Sequence, residues 1–116
     1  MGRKNKQQPP LPWESPTIDI TAAGNYSRMY KAFIECPAVH KLSPAARWLY
    51  DCMKTYSAGK STFHFTVDEA EKTGNKRGSF RRLVKQLIEG GFIRIKDSGK
   101  DRRAATVYEF VNLWKA

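Results

Sequence analysis

The chain reads as an α+β domain. Three features predict it: apolar residues at helical spacing in several segments, a short aromatic alternation in mid-chain, and two alternating segments after a Gly-Gly pair near the end. With 116 residues there is room for one domain and a tail, and for a core that needs no staples.

Residues 1–24 are expected to be a flexible, basic, Pro-rich arm. The first sixteen, MGRKNKQQPPLPWESP, carry four prolines, and Leu11 and Trp13 are their only large apolar side chains. Such a composition buries too little surface to offset ordering entropy, with Trp13 as the one candidate for docking on the domain. The domain proper is assigned to residues 25–116.

Its first helix is expected in YSRMYKAFIEC, where Tyr26, Met29, Tyr30, Phe33 and Ile34 fall on one face. Asn25 or Ser27 would cap it and Pro37 stop it. PAVHK holds about one helical turn. The next helix starts at Ser43 as N-cap with Pro44 at its first position. Ala45, Trp48, Leu49, Cys52, Met53 and Tyr56 form its expected stripe, and Gly59 ends it. STFHF is a short strand with Phe63 and Phe65 on one face.

Thr66-Val67-Asp68-Glu69 is a capping box opening a helix over Val67–Thr73 that ends at Gly74. A helix over Arg77–Glu89 follows, with Phe80, Leu83, Val84, Leu87 and Ile88 at i, i+3, i+4, i+7 and i+8. Phe80 is expected to anchor the core, so that Phe80→Ala unfolds the domain at a cost of about 3–5 kcal/mol. Gly90 and Gly91 stop the helix. FIRIK then reads as a strand with one wet face, DSGKDRRAA as a turn and TVYEFVNLW as the returning strand.

This order resembles the winged helix-turn-helix fold. A small residue at Ala70, a turn glycine at Gly74 and apolar anchors at Phe80 and Leu83 match the spacing of a helix-turn-helix unit, with Thr73 and Asn75 at positions usually held by apolar residues. LIEGGFIRI, followed by a charged turn and a strand, looks like the join from recognition helix to wing. The resemblance covers about Leu42–Trp114. It implies a three-helix core with a small antiparallel sheet and wing, here with an extra N-terminal helix. The segment Ala32–Met53 is similar to winged-helix modules in replication and maintenance proteins of Gram-positive plasmids, phages and conjugative elements.

Charge gives the partner class. Lys and Arg number 21 against 11 Asp and Glu, a net charge of +10, which favours a polyanion. Between Asn75 and Arg103 lie ten basic and three acidic residues, so +7 of the excess falls in a quarter of the chain. On the resemblance, Ser79, Arg81, Arg82 and Lys85 would meet a DNA groove, and Lys76 and Arg77 the backbone at its edge. In the wing, Lys96, Lys100, Arg102 and Arg103 would grip phosphate or the minor groove. Gly78, a poor helix former, would either bring a phosphate close to the backbone or merely weaken the first turn.

Other chemistries find little footing. SAGKST lacks the P-loop's first glycine, since Lys54 stands there. His40 and His64 have no metal-ligand spacing with each other or with Cys36 and Cys52. The cysteines are read as core thiols, a single disulfide being the other option. No signal peptide or spanning segment is apparent, which points to a cytoplasmic protein. The expectation is a small winged-helix protein that binds double-stranded DNA sequence-specifically, without enzymatic activity, cofactor, membrane or small-molecule substrate. Its role would lie in replication, transfer or transcription control of a mobile element, and a homodimer would form through Met29–Ile34. The alternative is a winged-helix module that binds another protein in a replication or transfer complex.

Overall fold

The computed structural model describes residues 29–99 and 105–115. Two single-turn helices, α1 (Lys31–Ile34) and α2 (Pro37–His40), lead into the long α3 (Pro44–Ser57). Then come β1 (Thr62–Phe63), α4 (Val67–Lys72), a 3-10 turn (Arg77–Ser79), α5 (Phe80–Glu89), β2 (Ile93–Asp97), β3 (Val107–Phe110) and a second 3-10 turn (Leu113–Lys115). The three strands form one antiparallel sheet in the order β1-β3-β2. Among the described residues the fold is therefore α+β, and none of their helices is long and apolar enough to cross a membrane.

Local chemistry accounts for the boundaries. Ser43 caps α3 by accepting from the Ala46 N–H at 3.2 Å, with Pro44 at the first helical position. Thr66 and Glu69 close both halves of the expected capping box on α4, at 3.1 and 2.9 Å. Helix α3 ends on Ala58 at φ 53°, and Gly59 continues the left-handed turn at φ 86°. Gly91 (φ 83°) must be glycine on two counts, because a Cβ there would also lie 2.7 Å from Leu113 Cβ.

The core lies between α3, α5 and the inner face of the sheet. Phe92, Leu49, Met53, Leu83, Leu87 and Ile93 are its largest fully buried side chains. Cys52 is buried and Cys36 half-buried against the core, both as free thiols. Phe33, Tyr50, Phe92, Phe110 and Trp114 form an aromatic cluster at one end, with Phe92 and Trp114 stacked at 5.5 Å.

Several expectations are corrected. The first helix is a single turn, and of its expected face only Phe33 packs on the core; Met29, Tyr30 and Ile34 are 52%, 60% and 52% exposed. Pro37 forces Cys36 into an extended conformation, so the helix cannot grow towards α2, and one turn alone is too short to be self-sustaining. Its N-cap is Tyr30, which makes no side-chain capping bond, rather than Asn25 or Ser27; Tyr26 and the arm lie outside the described residues.

The buried stripe of α3 is rotated by roughly 70° from the expected one, at 100° per residue. Ala46, Leu49, Tyr50, Cys52, Met53 and Ser57 face inward, while Ala45, Trp48 and Tyr56 are exposed. Tyr50 gains the core through rings on Phe33 and Phe92, whereas Trp48 stays half out with its N–H on the Thr73 carbonyl at 2.9 Å. The last strand stops at Phe110, where the chain turns to lay Trp114 on Phe92. Phe80 is half-buried rather than a central anchor.

Burial pushes the Tyr50 hydroxyl up to about 12. The unfolded chain then releases this proton near pH 10 while the folded chain keeps it, so the stability Tyr50 contributes is intact below pH 10 and lost towards pH 12. Wild type is expected to lose about 1.4 kcal/mol more per pH unit than Tyr50→Phe in that window. Parallel urea titrations of the two proteins between pH 9 and 12 check the difference.

Candidate nucleic-acid interface

The site is built on the turn between α4 and α5. Ala70, fully buried, lets the helices approach, and Gly74 takes φ 92° to reverse the chain. The Asn75 N–H bonds the Ala70 carbonyl at 2.9 Å and the Gly74 N–H that of Glu71 at 3.1 Å, the paired bonds of a Schellman stop. The two residues that depart from the usual apolar pattern satisfy each other. Asn75, buried, donates from Nδ2 to Thr73 Oγ1 at 3.1 Å, and Thr73 Oγ1 donates to the Ala70 carbonyl at 2.9 Å. Burial raises the pKa of the neighbouring Cys52 thiol, and the Thr73 carbonyl accepts the Trp48 indole N–H of α3 at 2.9 Å. This polar node fixes the turn against α3.

From the turn, Lys76 leads into the 3-10 turn, which runs without a break into α5. Ser79, half-buried, makes no capping bond because the backbone is already helical there. Leu83, Val84 and Leu87 fill the core, and Gln86 Oε1 accepts the Ser43 N–H at 2.6 Å, fastening α5 to the start of α3. Arg81, Arg82 and Lys85 are left on the outward face, all exposed.

These cations are not equivalent. Arg77 Nη1 lies 2.8 Å from Asp68 Oδ1 and 3.2 Å from Glu71 Oε1, so it bridges α4 to the start of α5; the Asp68 hydrogen bond is the main cause of its raised pKa. Lys85 Nζ stands 3.9 Å from Glu89, a loose i,i+4 pair with both groups largely exposed. On the sheet, Arg94 faces Glu109 across the β2–β3 register and donates from Nε at 2.7 Å. Lys76, Arg81, Arg82 and Lys96 are exposed and have no ion pair among the described residues.

No family model, curated protein or solved structure matches the chain. The reading of the site therefore rests on its own geometry.

The structure brings Arg77, Ser79, Arg81, Arg82 and Lys85 onto one continuous helical segment with Lys76 extended at its N-cap, and places Lys96 on the neighbouring β2. Lys96 sits in a bulge, where the register slips between Ile95 and Asp97. Beyond it Ile95 is 47% exposed, although its period-2 alternation with Arg94 predicts a core position. Lys100, Arg102 and Arg103 lie outside the described residues. Sequence reasoning missed the acidic partners. Asp68 and Glu71 sit one turn apart on α4, a spacing that could have flagged a shared cation, and Glu109 becomes visible only once the strand register is known.

Proposed function

We propose that this chain is a winged helix-turn-helix protein that binds double-stranded DNA, with α5 in the major groove and the β2–β3 hairpin against the flanking backbone. One observation carries the reading: Lys76, Arg81, Arg82 and Lys96 stand exposed on adjoining elements, on faces the core does not use, and have no carboxylate partner among the described residues. A merely solvated helix face tends to mix its charges, as α4 does with Asp68, Glu69, Glu71 and Lys72. The acids of α4 also bound the surface. They repel phosphate, so the DNA backbone would pass the Lys76 side of the turn rather than cross the start of α4.

The likeness of Ala32–Met53 to modules of Gram-positive mobile elements supports a setting in replication, transfer or transcription control of such an element. Selection of bound duplexes from a random pool, followed by salt titration, tests the proposal. An enriched motif is expected, with log K falling against log salt at a slope of about −3 if Lys76, Arg81 and Lys96 each meet a phosphate. Absence of duplex binding at low salt would overturn the reading and favour an acidic protein partner.

Gly78 adds a finer test. Its φ is not in the left-handed region and a Cβ there meets nothing within 4 Å, so the fold does not require glycine. Gly78→Ala is expected to stabilise the domain by about 0.5–1 kcal/mol in thermal unfolding. A simultaneous fall in duplex affinity would mark the point where a phosphate approaches the backbone.

A further inference from the structure

We propose that the groove between α1, α2 and α3 is the docking site of the chain's own segment Leu11–Ile20, with Trp13 as the side chain that fills it. This surface is separate from the basic face, because Arg47, Tyr50 and Lys54 line it from the side of α3 turned away from Leu49 and Cys52. The cavity measures about 230 Å³, and Met29, Phe33 and Ile34 supply its apolar wall. That volume is below the roughly 300–1,000 Å³ of typical small-molecule sites and suits one bulky side chain with a short flank.

The occupant is chosen by composition, charge and tether. Among residues 1–28, LPWESPTIDI holds Leu11, Trp13, Ile18 and Ile20 together with Glu14 and Asp19, and has no basic residue. Its net charge of −2 meets Arg47, exposed on the α3 side of the groove. Tryptophan is the side chain most often found as the anchor of such contacts. Fifteen residues separate Trp13 from Met29 at the groove's rim, enough to span about 50 Å when extended. A tether of this kind gives an effective concentration on the order of mM, far above that of a second copy in micromolar solution. Docking of the segment would cover Met29 and Ile34, which the described residues leave half exposed.

Methyl NMR of the full chain tests this, comparing wild type with Trp13→Ala. Loss of the indole ring current is expected to move the methyl resonances of Met29, Ile34 and Val39, while those of Ile95 and Leu87 stay in place as reporters of an intact fold. Arg47→Glu is expected to move the same methyls part of the way by weakening the acidic flank. Sedimentation should give a monomer throughout. Unmoved groove methyls in Trp13→Ala would overturn the proposal. So would groove methyls that shift with protein concentration as the mass doubles, since the occupant would then be a second copy. Neither outcome bears on duplex binding, which the basic face carries alone.

Discussion

Truncating Phe92 to alanine is expected to destabilise the domain by about 3–5 kcal/mol, the largest loss from any single core substitution. Its ring is fully buried where α5 hands over to β2, with the Phe92 N–H on the Leu87 carbonyl at 3.0 Å and the Val111 N–H on the Phe92 carbonyl at 3.0 Å. Both backbone bonds hold the residue still, so the space left by the ring cannot collapse easily. The ring also meets Phe33, Tyr50 and Trp114 at centroid distances of 6.5, 5.4 and 5.5 Å. One removal thus loosens α1, α3 and the C-terminal turn together. Against a total stability of about 5–15 kcal/mol for a small domain, that is roughly a fifth or more. Urea denaturation should show a lower midpoint at unchanged slope. Phe80→Ala, at a half-buried position beside Phe65, is expected to cost less. A reversed order of the two losses would mean that the core is centred on the α4–α5 turn rather than on the aromatic cluster.

That contrast shows what periodicity reports and what it omits. It placed Phe80, Leu83, Val84, Leu87 and Ile88 on one face of α5, and all five do pack inward or at the edge of the core. It could not rank them, because depth depends on what the other elements bring. The same limit explains α3. Trp48 and Tyr50 are both amphipathic aromatics two residues apart, and only the position of Phe33, Phe92 and the Thr73 carbonyl decides which of them goes in. N-capping of α3 and α4 was legible, since Ser43, Pro44, Thr66 and Glu69 act within four residues of themselves. Thr73 and Asn75, polar where an apolar turn was expected when read singly, become a matched pair once the turn brings Asn75 Nδ2 onto Thr73 Oγ1. In the candidate site the cations were legible as a cluster. Their division into paired and unpaired was not, because Asp68 and Glu71 reach Arg77 across the turn and Glu109 reaches Arg94 across the sheet.

That division sets the second large effect. Arg82→Ala is expected to weaken binding to a selected duplex by about 1–3 kcal/mol while leaving random duplex nearly unaffected, the signature of a lost base-edge contact. The side chain is exposed on α5 and has no carboxylate partner among the described residues, so a guanine edge would gain its full donor pair. Lys85→Ala should act in the same sense but less strongly, since Glu89 at 3.9 Å already draws on its charge. Lys76→Ala should weaken all duplexes alike and make the salt slope shallower by about 0.9, as a phosphate contact does. Arg94→Ala is the informative control. Its guanidinium is committed to Glu109, so the variant should lose about 0.2–1 kcal/mol of sheet stability and little of its sequence preference. Fluorescence anisotropy on selected and random duplexes, at two salt concentrations, separates the four variants. Equal loss on both duplexes for Arg82→Ala would remove α5 from the groove and leave its outward face a backbone contact. Loss of sequence preference in Arg94→Ala instead would mean that DNA prises Arg94 from Glu109, and that the sheet rather than the helix reads the bases.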